Sequence, residues 1–189
     1  MSRPALRRKD KELAADDVER LMHRLPLGYF ATVGPEGEPY VVPNLFVYAE
    51  REVYLHTAAA MGHFRGNIER NPRVCFSATE MEQVFPYGRF ECDTSAGYAS
   101  VIGFGQAHLV DDDSARMRFF DRLLAKYGDP AWKRPESFYP RLGDVVVYAI
   151  LLDRVTGKKN PTPPLGEQWP ARDRTKSPAA LARRARNRH

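Results

Sequence analysis

Cysteine is scarce in this chain. There are two in 189 residues, Cys75 and Cys92, far apart and outside any Cys-x-x-Cys or Cys/His cluster. That pattern argues against a disulfide framework and a structural zinc site, and leaves two buried free thiols as the expectation. Long apolar runs are missing too. No stretch approaches the roughly 18 to 20 residues of a membrane-spanning helix. The charged start, MSRPALRRKDKELAADD, lacks the apolar segment of a secretory signal and any lipidation motif, so a cytoplasmic protein is expected. Apolar residues at 43% and aromatics at 11% are those of a globular protein, and the length suits one well-buried core.

The formal charge of +5 is unevenly spread. Residues 158–189 carry nine Lys or Arg against two acidic residues, and residues 1–12 carry five against two, so the intervening 13–157 is net −5. A general polyanion-binding face on the body is therefore not expected, and a basic site within it is the more informative for being local. Three segments follow: a flexible tail over 1–12, a folded domain over 13–157, and a Pro/Arg-rich basic arm over 158–189 with too few apolar residues for a core. Nucleic-acid binding by the arm is not favoured, because short basic tails commonly serve solvation alone.

Val18, Leu21, Met22 and Leu25 recur at the spacing of one helix face, with Asp16 and Glu19 as a capping pair and Pro26 and Gly28 as the stop. A strand-rich block follows. GYFATV and YVVPNLFVYA flank the turn GPEGEP as a hairpin, and Pro43 marks the second run as an edge or bulged strand with freed ladder groups. EVYLHTA, RVCFSATE, YASVIGFGQAHLV and DVVVYAILLDRVTG supply four more strands. The last is apolar on both faces and so expected to be central. Residues 81–97 show no period and read as a long excursion. Gly103 and Gly105 share one face of the fifth strand, leaving room for a close approach. Asp112 starts a helix with Met117, Phe120, Leu124 and Tyr127 on one face and Gly128 as its stop. Six strands in hairpin-like succession predict a mainly β protein, an antiparallel barrel or closed sheet with flanking helices.

The stretch HTAAAMGHFRGNIERNPRVCF, residues 56–76, carries the chemistry. A strand ends, the chain bends through Gly62, and a basic helix begins. Unpaired N–H groups at a helix start and the helix dipole favour an anion, Gly62 permits close approach, and Arg65 offers a planar donor fork suited to phosphate. An ordinary reading stands beside it: Met61, Phe64 and Ile68 form an apolar face, with Arg65 and Glu69 as a solvent-side pair.

These residues, together with YASVIGFGQAHLVDD, resemble the flavin-binding split barrels of the pyridoxamine 5′-phosphate oxidase-like superfamily, and most of all its nitroimidazole-resistance branch. The resemblance covers roughly residues 16–157. It implies a six-stranded split barrel, a homodimer, and FMN at the interface between the two chains. By matching positions it assigns cofactor contacts to Val41, Val42, Pro43 and Asn44 beside the flavin ring, to Thr57 and Ala58 beside the ribityl chain, and to Gly62 and His63 at the phosphate. Ser100 matches a phosphate-side polar position on the partner strand. The family's lysine after His63 is Phe64 here, so either Arg65 replaces that cation or the phosphate is held more weakly.

His56 stands where such proteins often carry a histidine near the flavin, which implies substrate contact or proton transfer. The alternative is a histidine packed on the outer face of its strand. His108 is expected to be structural and His23 solvated. The resemblance implies an FMN-dependent oxidoreductase acting on a small electron-poor substrate such as a nitro compound or quinone. The alternative is a barrel that holds flavin, deazaflavin or haem without turnover, with His56 or His63 as the candidate haem ligand. Nothing in the sequence marks a nicotinamide site. Pyridoxamine phosphate oxidation itself is not expected, because the substrate motif near the C-terminus is absent where Trp169 is followed by Pro170 and Ala171.

Overall fold

The computed structural model describes residues 6–87 and 93–168. Cys92 and the Trp169–Ala171 stretch lie outside them. Seven strands form one sheet: β1 (Gly28–Val33), β2 (Pro39–Asn44), β3 (Val47–Ala49), β4 (Glu52–Ala58), β5 (Arg73–Pro86), β6 (Thr94–Leu109) and β7 (Val145–Asn160). Their spatial order is β2-β1-β5-β6-β7-β4-β3, with antiparallel pairing in the hairpins β1–β2 and β3–β4 and between β4 and β7. Three helices flank them, α1 (Ala15–Arg24), α2 (His63–Arg70) and α3 (Asp113–Tyr127). This is the expected mainly β split-barrel architecture, with the sheet open between β2 and β3. As read from the sequence, β7 is interior to the sheet and Pro43 sits on an edge strand.

The seventh strand comes from a break. The sequence read residues 40–49 as one strand, whereas Leu45 and Phe46 separate β2 from β3. Phe46 is fully buried, and α3 takes its backbone out of the ladder. Its N–H donates to the Tyr127 hydroxyl (3.2 Å), which donates back to the Phe46 carbonyl (2.8 Å), and Lys126 Nζ donates to that carbonyl as well (3.1 Å). Local β propensity yields here to a tertiary hydrogen-bond set.

Contacts divide the chain into two compact units. The larger comprises residues 13–79 and 100–157. Its core stacks Phe30 on Phe76 (5.2 Å between centroids) and Phe76 on Phe46 (5.0 Å), with Val53, Leu55, Val101, Tyr148 and Ile150 wholly enclosed. Burying each such side chain contributes about 1.5 to 3 kcal/mol. A second cluster sets Phe119 and Leu123 of α3 against Val47 and Val147. The buried stripe of α3 is thus turned one position from the face expected at Phe120 and Leu124. Asp112 caps this helix, accepting from Ala115 N at 2.7 Å. The room left by Gly103 and Gly105 is used inside the sheet: a Cβ at Gly105 would lie 2.2 Å from the Leu151 carbonyl oxygen, and one at Gly103 would press on Leu152.

Among the described residues the smaller unit comprises 6–12, 80–87, 93–99 and 158–168. Much of the segment read as an excursion over 81–97 is strand, because β5 extends to Pro86 and β6 starts at Thr94. Met81, Glu82, Gln83 and Val84 are all exposed, so no burial alternation marks them. Glu12 and Lys158 pair through their backbones in an isolated antiparallel β-bridge, Lys11 Nζ donates to Asn160 (2.5 Å), and Asn160 donates to the Ala96 carbonyl (2.6 Å). Glu82 accepts from the hydroxyl (2.7 Å) and the N–H (3.2 Å) of Thr162.

Candidate functional site

The end of β4, the bend over 59–62 and the start of α2 lie within the larger unit. Gly62 is the residue before α2, with extended backbone (φ −138°, ψ 174°) and open space where a Cβ would stand. No side chain caps α2 and no acidic residue sits in its first turn, in contrast to α3 with its Asp112 cap. The start of α2 therefore presents N–H groups without a side-chain acceptor beside a hollow of about 530 Å³. His63, Gly66, Asn67 and Arg70, one face of the helix, line it together with Met61 and Gly62.

Buried groups fix this helix in place. Asn67 Nδ2 donates to Thr32 Oγ1 (3.0 Å), a buried polar tie to β1. Phe64 is 5% exposed, with its ring edge-on to Phe30 and Tyr148. His63 remains outside, its ring 5.6 Å from that of Tyr40. Arg65 turns back on the chain: Nε donates to Glu69 (2.8 Å) and Nη1 to the Ala59 carbonyl (2.5 Å). The Glu69 bond raises its pKa further, and two of five guanidinium N–H donors are thereby used. The helical pair and the buried Phe64 fit the ordinary reading of this stretch, and the uncapped glycine start fits the anion reading.

β2 carries Val41 and Pro43 outward, while Val42 and Asn44 are half-buried. Asn44 Nδ2 donates to the His56 carbonyl at 2.7 Å, joining β2 to the end of β4. The outward face continues through the β1–β2 register, where Tyr29 pairs with Pro43, Ala31 with Val41 and Val33 with Pro39. Tyr29 and Val33 are each 42% exposed and Val41 is 55% exposed, which makes an open apolar patch.

A larger hollow, about 670 Å³, adjoins the β4 end on the side of α3. His56, Thr57 and Ala58 line it from β4, Phe120 from α3, and residues 134–145 complete it. The His56 ring lies 5.3 Å from Phe120 and 5.8 Å from Phe119, and its Nδ1 is buried without a hydrogen-bond partner among the described residues. Burial lowers its pKa, which keeps the imidazole neutral at pH 7. Burial raises the enclosed Tyr148 phenol, with Thr57 and Arg65 opposing that rise.

The structure thus groups Gly62 and His63 at one hollow and His56, Thr57 and Ala58 at the other, with Arg65 of α2 tied to the bend between and Asn44 tied to His56. Val41 to Pro43 lie on the edge strand, and Ser100 is half-buried on β6. Among the described residues no hydrogen bond or cavity joins Ser100 to Gly62. His108 stands beside Glu52 (3.9 Å), and His23 is exposed with its ring against Tyr48. Sequence reasoning missed Arg70, although its spacing of seven from His63 puts both on one helix face. It also missed the 134–145 wall, for which no local pattern exists.

The architecture defines a split-barrel protein. Residues 14–159 match the family described as pyridoxamine 5′-phosphate oxidase, and the chain belongs to that family. Solved structures of the same fold include a proposed 5-nitroimidazole antibiotic resistance protein of Bacteroides thetaiotaomicron (23% identity, 78% of this chain, 86% of that chain, TM-score 0.65). A flavocytochrome of Azotobacter vinelandii is similar at 17% identity, covering 85% of this chain and 74% of that chain with TM-score 0.72. The FAD and haem binding protein of Mycobacterium smegmatis is similar at 20% identity, 83% and 78% coverage and TM-score 0.69. No curated protein matches the chain. Among the described residues no helix is long and apolar enough to cross a membrane.

Proposed function

We propose that the chain is a cytoplasmic, FMN-binding flavoprotein that works as a homodimer and reduces a small electron-poor substrate such as a nitro compound or quinone. The observation that carries this reading is the start of α2, which is uncapped, without an acidic residue in its first turn, and open through Gly62 onto a hollow. Such a helix start suits a phosphate dianion. Gly62 and His63 would hold that phosphate, with Arg70 adding positive charge from the same helix face. Arg65 serves the bend through Ala59 and keeps N–H donors for an oxygen; Phe64, enclosed in the core, contributes packing alone. Thr57 and Ala58 would border the ribityl chain, and Val41, Val42, Pro43 and Asn44 the ring, with Ser100 supplied at the phosphate side. The exposed patch of Tyr29, Val33 and Val41 supports a second copy as the cover of this edge. Bound flavin would supply the electron chemistry, and the chain would supply position and charge.

Two relatives in fold, a flavocytochrome and a FAD and haem binding protein, support a flavin in this family. A second reading, cofactor binding without turnover and with haem in place of flavin, draws on His56, whose Nδ1 lacks a partner beside the larger hollow. The visible spectrum of the purified protein separates flavin from haem. FMN titration should then show quenching with one site per chain, and anaerobic NADH or NADPH should bleach the bound flavin. Colourless protein that ignores added FMN would overturn the flavin reading, and a flavin that neither donor bleaches would favour a carrier.

A further inference from the structure

Tyr148 is wholly enclosed, and its hydroxyl oxygen has no hydrogen-bond partner among the described residues. A buried hydroxyl left unpaired destabilises a fold, and phenylalanine would fill the same space without that penalty. The oxygen therefore calls for a role outside the packing.

Its place in the sheet supplies one. In the β4–β7 register Tyr148 stands opposite Leu55, and Val146 opposite Thr57. Side chains alternate along a strand, so Tyr148, Leu55 and Thr57 share one face and Tyr148 is the diagonal neighbour of Thr57. The Tyr148 ring meets Phe64 edge-on at 5.5 Å, which sets it against the first turn of α2.

Three groups act on the phenol: Thr57, Arg65 and Glu69. Burial outweighs them and raises its pKa, so it stays protonated at neutral pH and is a donor. Arg65 has no acceptor to offer, and Glu69 is engaged by Arg65 at 2.8 Å. Thr57 Oγ1 is the acceptor that remains. Its own proton goes to the Ala58 carbonyl at 3.2 Å, a contact between neighbours in the chain.

We propose that Tyr148 is a positioning residue of the flavin seat: with cofactor bound, its hydroxyl donates to Thr57 Oγ1, and the Thr57 proton turns from the Ala58 carbonyl to a ribityl oxygen. This inference rests on the flavin reading. It assigns the orphaned hydroxyl to the loaded protein, where the free protein has no use for it.

The test compares Tyr148→Phe, Thr57→Val and the double variant in the full chain, by urea unfolding without cofactor and by fluorescence titration with FMN and with riboflavin. Without cofactor, Tyr148→Phe should unfold at a urea midpoint equal to or above that of wild type. It should bind both flavins more weakly by about fivefold or more, and by the same factor, because the ribityl chain is common to them. In the Thr57→Val background the same change should alter either affinity by less than about twofold, since the acceptor is gone. A lowered midpoint in Tyr148→Phe would assign the hydroxyl to the fold and overturn the proposal. So would unchanged flavin affinity, a loss confined to FMN, or the full loss repeated in the Thr57→Val background. Wild-type protein that binds neither flavin would instead sink the flavin reading itself, and this inference with it.

Discussion

Replacing Gly62 by aspartate should move stability and flavin affinity in opposite directions. The backbone there is extended and nothing stands within 4 Å of the added Cβ, so the new side chain enters without strain. An aspartate at this place accepts from the free N–H groups of the first turn and faces the positive end of the α2 dipole. Against glycine the cap is worth a few tenths of a kcal/mol and the dipole about 0.3 to 1, for a gain of roughly 0.5 to 1.3 kcal/mol. For a chain of this size that is a rise in Tm of about 1 to 5 °C. The same carboxylate occupies the phosphate's donors and repels its charge. A −1 and a −2 charge about 5 Å apart at an effective dielectric near 40 oppose each other by about 3 kcal/mol, or roughly a hundredfold in Kd. Differential scanning fluorimetry and FMN titration on the same preparation read both quantities. Unchanged FMN affinity in a stabilised Gly62→Asp protein would show that the helix start does not seat the phosphate.

Three further outcomes follow from packing and charge. Phe64→Lys, which restores the family's residue, should lose more than about 3 kcal/mol in urea unfolding, because it sets an ammonium among Phe30 and Tyr148; a midpoint equal to wild type would refute this placement. Asp121→Ala removes the acceptor for three hydrogen bonds from Ser137 and Tyr139 and should speed tryptic cleavage at Lys133 or Arg141, with unchanged cleavage counting against a fixed wall. Lys126 sits over the Phe46 ring (3.8 Å), and burial pushes its ammonium down to about 8. Between that value and the unfolded lysine near 10.4 the unfolded chain binds the extra proton, so stability rises with pH through this window and the gain is lost as pH falls through about 8. From pH 7 to 10 the gain is about 1 to 2.5 kcal/mol after allowance for solvent screening. Lys126→Met should lack it, and parallel pH curves for the two proteins would refute the assignment.

The larger elements were legible because each is written in a local period. EVYLHTA alternates and became β4, and Asp112 with Gly128 bracketed α3. The break at Phe46 was not legible, since its causes, Tyr127 and Lys126, lie some eighty positions away in sequence. The smaller misreading of α3 has the same origin: an amphipathic pattern gives the face to within one residue, and packing against Val47 and Val147 selects Phe119 and Leu123. At the site, the bend at Gly62 stood out because glycine, histidine and arginine cluster where a helix starts. The tie of Arg65 to Glu69 was visible as spacing, but its bond to the Ala59 carbonyl depends on the path of the bend. The wall over 134–145 has neither period nor motif, and its order derives from Asp121 and Arg116 on another element.

Helix α3 grips three stretches that lie outside the strand ladders or at their very ends. Arg116 holds 142–145, Asp121 holds 137–139, and Lys126 with Tyr127 holds the backbone at Phe46. Within and around the first two grips stand Arg134, Phe138 and Arg141, all with exposed side chains. That segment is an exchangeable cassette: its contents can drift under selection while its mounting points stay put. Side chains at these positions can therefore be exchanged without disturbing the barrel.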